Sequence, residues 1–278
     1  RQFLKKGFPL TVWNRSAERC AALQAEGAAT AATPRELAER SDVVVSCVSD
    51  PAAVERVVFA EDGVLAGARP GLRYVETSTV SPELSRRVAA AFLARGAEAL
   101  EAPVTGSKNG AEAGTLVIMT GGRPGLHEEL LPVLMAMGSK AIHCGETGAA
   151  SVVKLVGNAM ISYMLEGYCE GLVVARKAGV SQEKLLEVIM ATGYASPYYT
   201  FKGGAIARRD FEQHFSIDLL VKDQNLMLQE AHHQRAPMPG LAAMREVFQS
   251  ARALGYGQED IAAVVKVLER GAGLPTEG

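Results

Sequence analysis

Short apolar runs recur through the first half of the chain, separated by amphipathic stretches, and they stop after Gly148. The runs at 8–13, 42–48, 73–76, 97–101, 115–119 and 140–143 are the strand candidates. The continuous valine-rich run at 42–48 predicts a parallel strand buried on both faces. Helix starts between the runs are punctuated. Thr33-Pro34-Arg35-Glu36 reads as a capping box with proline in the first helical position, and Asp50-Pro51 and Ser81-Pro82 repeat the device. Strands alternating with helices in this way predict a doubly wound, Rossmann-like α/β domain over 1–147. The remainder, 148–278, reads as all-α, with helices near 149–178, 181–191, 216–233, 239–254 and 259–269 and breaks at Gly179, Gly193, Gly203-Gly204, Pro237-Met238-Pro239 and Gly255.

The first of those helices is apolar on nearly every face. Four shorter helices cannot cover it, so its surface must pack into the first domain or against a second subunit. A homodimer or homotetramer is therefore expected.

Length and charge narrow the function. A chain of 278 residues suggests about two domains. A net charge of -2 and a pI of about 6.3 offer no basic field for nucleic acid or an anionic membrane. Charges interrupt every apolar run before the roughly 18 to 20 residues of a membrane span. Cys20, Cys47, Cys144 and Cys169 show no C-x-x-C spacing, and three lie in apolar runs. They read as core thiols of a reducing compartment, and so predict a cytoplasmic protein. Neither His143-Cys144 nor His232-His233 has partners that complete a ligand set, so no metal site is predicted.

The opening residues depart from the pattern. A nucleotide-binding domain of this class starts with a strand, a G-x-G-x-x-G turn and a helix whose N-terminus holds the pyrophosphate. Here Arg1-Gln-Phe-Leu-Lys-Lys-Gly7 reads instead as the last turns of a helix, with lysines at its negative end and a glycine stop. In the 3-2-1-4-5-6 strand order the missing strand would be central, leaving two backbone edges unpaired. The expectation is that one strand and most of a helix precede Arg1 in the complete protein.

Three clusters carry candidate chemistry. Asn14-Arg15-Ser16 follows the first strand, where a carboxylate would read the ribose 2′-hydroxyl of NAD. A guanidinium there suits a 2′-phosphate and favours NADP, whereas the alternative is an ordinary polar turn. Thr105, Gly106 and Ser107 follow another strand, and their N–H groups would form a loop nest for a carboxylate. Lys154 and Asn158 lie one turn apart in the apolar helix, in line with Ser162. A lysine buried there would need a partner or a chemical task. It either snorkels from the first turns or donates a proton to a substrate oxygen.

The ordered motifs resemble those of the β-hydroxyacid dehydrogenase family, from Phe8 onward. The substrate signature Asp-x-Pro-Val-Ser-Gly-Gly reads Glu101-Ala-Pro-Val-Thr-Gly-Ser107. The catalytic signature G-x-x-G-x-G-x-x-x-K-x-x-x-N spans 145–158, with Ala150 in place of its third glycine. The late cofactor signature Lys-Asp-x-x-Leu reads Lys222-Asp-Gln-Asn-Leu226. Ser107-Lys108 looks most like the glyoxylate/succinic semialdehyde reductase branch.

The resemblance implies NADPH-dependent reduction of a small carboxylated aldehyde, with Lys154 as proton donor and Asn158 orienting the lysine or substrate. It implies a substrate carboxylate at Thr105, Gly106 and Ser107. It places the cofactor against Val48, Ser49, Thr79 and Lys222 besides Asn14, Arg15 and Ser16. The alternatives are a 3-hydroxyisobutyrate or tartronate semialdehyde oxidoreductase, or an inactive or scaffold-type homologue.

Overall fold

In the computed structural model, which describes residues 1–276, the first half runs α1 (Gln2–Lys5), β1 (Thr11–Val12), α2 (Ala21–Ala25), β2 (Ala29–Thr30), α3 (Pro34–Glu39), β3 (Val43–Ser46), α4 (Pro51–Phe59), β4 (Arg73–Glu76), α5 (Pro82–Leu93), β5 (Glu98–Glu101), β6 (Val104–Thr105), α6 (Ser107–Ala113), β7 (Leu116–Gly121), α7 (Pro124–Met137) and β8 (Gly138–Gly145). The second half is helical: α8 (Ala149–Lys177), α9 (Gln182–Met190), α10 (Pro197–Ala207), α11 (Ile217–His233), α12 (Pro239–Ala253) and α13 (Val265–Gly271). The chain divides into two compact units, Arg1–Lys154 and Leu155–Gly278, so the first turns of α8 belong to the first unit.

The proline-primed caps set the helix starts of the first unit as their sequences require. Thr33 accepts from the Glu36 N–H at 3.1 Å, Asp50 from Ala53 at 2.8 Å and Ser81 from Leu84 at 3.2 Å. Each leaves one fewer orphan donor at a helix start.

The sheet is in two pieces. β1 pairs in parallel with β2, and β3, β4 and β5 pair in parallel in that order. Among the described residues β1 and β3 have no other strand partner. Among the described residues no strand pairs with both pieces, as the first strand does in the 3-2-1-4-5-6 order.

Beyond β5 the chain bends but keeps its register. Glu101 pairs antiparallel with Gly121, Val104 with Ile118 and Thr105 with Val117, so β5 and β6 run along one edge of β7. The break between them falls at Pro103, which has no N–H to give; its carbonyl still accepts from Met119 at 2.9 Å. Parallel β8 takes the other edge of β7.

Successive strand residues feed opposite cores. Tyr74 joins Val54, Val58, Val88 and Phe92, whereas Val75 joins Leu100, Ile118, Leu126 and Leu130. In the second unit Leu165, Cys169 and Leu172 of α8 pack with Leu220, Phe248 and the segment Ile261–Val264.

Several expectations need correction. The run at 42–48 is a strand only over Val43–Ser46, with Val44 and Ser46 buried but Val43 and Val45 half-buried. Strands β2 and β6 are two residues each, too short for a periodic signal. Gly203-Gly204, read as a break, lies inside α10: a Cβ at Gly203 would sit 2.8 Å from the Tyr168 hydroxyl, so glycine there permits close packing. Only Cys20 and Cys169 are buried; Cys144 is half-buried and Cys47 exposed. Along α8, Val156, Met160 and Val174 stay 39, 58 and 69% exposed, the uncovered apolar face anticipated from its composition.

Candidate active site

At the carboxyl ends of β3 and β4, hydrogen bonds tie together two turns. The Thr77 N–H and hydroxyl both donate to the Ser46 carbonyl, at 2.8 and 2.7 Å, and the Val48 N–H donates to Ser78 Oγ at 2.8 Å. Beneath them lies Glu76, which accepts from the Ser78 N–H at 2.8 Å and from the Tyr74 hydroxyl at 2.5 Å. Burial raises its carboxyl above the ordinary range, against the pull of these donors. The clasp brings Val48 and Thr79, both half-buried, to one sheet edge. Ser49 is exposed beside Val48, and its hydroxyl is spent on Asp50 at 2.6 Å.

The predicted nest at 105–107 is not a plain loop. Thr105 ends β6 and Ser107 begins α6, with Gly106 between them at φ +134°. A Cβ at Gly106 would lie 3.1 Å from Leu116 Cδ2. Ser107 itself adopts φ +56°, a left-handed conformation that disfavours any residue with a Cβ. Thr105, Gly106 and Ser107 are all exposed.

Glu101, at the end of β5, reaches the start of α8. Its Oε1 accepts from the Gly148 and Ala150 N–H groups at 2.7 and 2.9 Å, and its Oε2 from Ser151 Oγ at 2.6 Å. Ser151 Oγ also contacts Ser85 Oγ at 2.9 Å. An anionic cap at a helix N-terminus is favoured by the orphan donors and by the macrodipole. Lys154 follows one turn later and is half-buried, less than its apolar surroundings in sequence implied.

In the second unit Asn158 is 6% exposed, and its Nδ2 donates to Asp223 Oδ2 at 2.6 Å. Lys222 Nζ lies 2.9 Å from Asp223 Oδ1. The polar line continues through Ser162, which donates to the Asn158 carbonyl at 3.0 Å and accepts from Gln224 Nε2 at 3.2 Å. Thus Ser162 is a buried tie for its helix.

Asn14-Arg15-Ser16 lies just past β1. Asn14 Oδ1 accepts from the Ser16 N–H at 2.9 Å, an Asx turn that leaves Arg15 exposed. A hollow of about 460 Å³ beside it is lined by Trp13, Asn14, Gln24, Thr30, Ala31 and Glu36. Within the first unit, these residues and the Val48/Thr79 edge belong to separate sheet pieces. No G-x-G-x-x-G turn for the pyrophosphate of a dinucleotide is among the described residues.

Two residues escaped sequence reasoning. Asp223 reads as the wet face of an amphipathic helix yet is 2% exposed. Its signal was its place beside Lys222 in the late motif. Glu101 gave no local sign, because its partners are 47 to 50 residues away.

A dinucleotide-type α/β unit followed by a helical unit, with a lysine-asparagine pair on the first long helix, defines the class of two-domain nicotinamide-dependent dehydrogenases. Comparison with known proteins agrees. Residues 1–145 match the NAD binding domain of 6-phosphogluconate dehydrogenase, and residues 148–268 match the NAD-binding family of NADP-dependent 3-hydroxyisobutyrate dehydrogenase. The crystal structure of 3-hydroxyisobutyrate dehydrogenase from Salmonella typhimurium superposes with a TM-score of 0.86 at 30% identity, covering 96% of this chain and 93% of that one.

Glyoxylate/succinic semialdehyde reductase 1 of Arabidopsis thaliana is 34% identical over 266 residues, 96% of this chain and 92% of the plant protein. Cytokine-like nuclear factor N-PAC of Aedes aegypti is 38% identical over 264 residues, 95% of this chain but 47% of that protein. The chain thus spans about half the length of the N-PAC relatives that it matches. It belongs to the β-hydroxyacid dehydrogenase family.

Proposed function

We propose that the protein is an NADPH-dependent reductase of small carboxylated aldehydes, glyoxylate or succinic semialdehyde, acting on the CH–OH/C=O couple. The observation that carries this reading is the pairing of Asn158 with buried Asp223, one turn beyond Lys154 on the same helix. An amide held by a buried carboxylate keeps one orientation, and so keeps one face of α8 polar beside the lysine. NADPH, when bound, supplies the hydride. Lys154 gives its proton to the aldehyde oxygen as the alkoxide develops, and takes it back in the oxidative direction. Asn158 orients the lysine or the substrate. The N–H groups at Thr105, Gly106 and Ser107 and the two hydroxyls hold the substrate carboxylate.

The cofactor residues of this reading are Asn14, Arg15, Ser16, Val48, Ser49, Thr79 and Lys222, and Arg15 makes NADP the preferred form. Identity to the plant reductase over nearly its whole length supports the substrate class. The four free cysteines support a reducing compartment, the cytoplasm. No helix among the described residues is long and apolar enough to cross a membrane. The exposed apolar face of α8 supports a homodimer or homotetramer.

A second reading is an inactive or scaffold-type homologue; the 38% identity to a protein named as a nuclear factor favours it. Steady-state oxidation of NADPH by the full-length protein with each aldehyde separates the two. In the enzyme, Lys154→Ala lowers kcat by about a hundredfold or more while NADPH binding persists. Absence of turnover in the wild type, or an undiminished rate in the alanine variant, overturns the proposal.

A further inference from the structure

The cap on α8 is supplied from a distant strand, by the residue that opens the substrate motif. We infer that Glu101 is a positioning residue: its carboxylate fixes the first turn of α8, and with it Lys154, against the strand that leads to Thr105, Gly106 and Ser107. The inference rests on the proposed roles of Lys154 and of that segment.

Three observations carry it. Glu101 is 4% exposed, and both of its oxygens are engaged by the first turn of α8: Gly148 and Ala150 N–H on one, the Ser151 hydroxyl on the other. All three partners donate, which suits an ionised carboxylate, an acceptor only. A bidentate hold of this kind fixes both the axial position and the rotation of a helix start. Lys154 is four residues beyond Ala150, one turn along, so it inherits both.

The second observation is continuity on the other side. Glu101 keeps antiparallel register with Gly121, and the same register carries on to Thr105 opposite Val117. The ladder along β7 thus runs from Glu101 to the proposed substrate loop, interrupted at Ala102 and Pro103, where the Pro103 carbonyl still accepts from Met119. One side chain therefore links the proton donor to the carboxylate-binding segment, although the two are far apart in sequence.

The third is the space made for it. A Cβ at Gly121 would lie 2.0 Å from Glu101 Oε1, so the glycine opposite leaves a slot for the carboxylate. The charged and titratable surroundings include Arg86 of α5, whose guanidinium lies against Gly148, and Cys144 of β8. Burial pushes the Cys144 thiol up, and the charge on Glu101 adds to that effect.

The test compares Glu101→Gln, Glu101→Asp and Ser151→Ala in the full-length enzyme. Small misplacements of a reacting group cost about a hundredfold in rate. Glu101→Gln, which keeps the shape and loses the charge, is expected to lower kcat by roughly tenfold to a hundredfold with the NADPH KM within about twofold of wild type. Glu101→Asp should recover part of the loss, because it keeps the carboxylate. Ser151→Ala, which leaves both N–H bonds in place, should show the same pattern at a few-fold and guards against a Glu101→Gln chain that does not fold.

Amide hydrogen exchange over residues 148–151 supplies a readout independent of turnover, and faster exchange is expected in Glu101→Gln. Wild-type kcat and wild-type exchange in Glu101→Gln overturn the inference. So does a loss of kcat that comes with an equal loss of NADPH affinity and thermal stability, the mark of a merely structural role. If Lys154→Ala turns over normally while Glu101→Gln exchanges faster, the proton-donor assignment fails and the cap remains supported.

Discussion

Ser107 brings stability and the proposed function into opposition at one residue, and Ser107→Gly separates them. The backbone there is left-handed, at φ +56°. For a residue with a Cβ that conformation costs roughly 1–2 kcal/mol, and glycine removes the cost. Glycine also loses more entropy on folding, which offsets about 0.5–1 kcal/mol of the gain. The net expectation is a stabilisation of about 0.5–1 kcal/mol, a rise in Tm of roughly 1–4 °C for a unit of this size.

Activity should move the other way. If the Ser107 hydroxyl holds the substrate carboxylate, its loss removes a charge-assisted hydrogen bond of about 1.5–3 kcal/mol, a roughly ten- to hundredfold fall in kcat/KM. Ser107→Ala is the control: it loses the hydroxyl but keeps the Cβ, so its activity should fall equally without any rise in Tm. Thermal melts and steady-state kinetics on the three proteins decide the matter. A Ser107→Gly protein that melts below wild type refutes the strain argument. Unchanged kcat/KM in both variants removes Ser107 from the substrate site.

The remaining predictions concern cofactor and assembly. Arg15→Asp exchanges a phosphate partner for a carboxylate suited to a free 2′-hydroxyl, so the ratio of kcat/KM values should shift from NADPH toward NADH; a wild type that already prefers NADH sinks the assignment. Light scattering on the full-length protein at micromolar concentration should give a dimer or tetramer, because Val156, Met160 and Val174 present an apolar face on α8. A monodisperse monomer would leave that face without the partner proposed for it.

In the first half of the chain, helix starts were legible where a side chain and a proline act within three residues of each other. Thr33-Pro34, Asp50-Pro51 and Ser81-Pro82 each open the helix that the sequence predicts. The same device stands at Ser196-Pro197, where α10 begins, but the two glycines that follow masked it. Gly203 answers to Tyr168, some thirty-five residues earlier in the chain, and nothing local distinguishes a packing glycine from a breaking one. Strand β6 was hidden for a related reason: two residues carry no period, and its register is inherited from β5 across Pro103.

The candidate site divides along the same line. Lys154 and Asn158 could be paired from sequence because a helix converts a spacing of four into one face. Neither Asp223, which holds Asn158, nor Glu101, which caps α8, could be found that way, since each meets its partner only through the tertiary fold. The family motifs nevertheless contain both residues, immediately beside positions assigned to substrate and cofactor. An ordered motif therefore carried information that periodicity and propensity do not. It marked a carboxylate whose work lies at the start of a helix beginning some forty-eight residues later. The structure supplies the physical content of that mark: two backbone N–H groups and one hydroxyl, all donating to Glu101. On this account one short motif has two proposed tasks: its first residue sets the helix of the proposed proton donor, and its last three form the proposed carboxylate site.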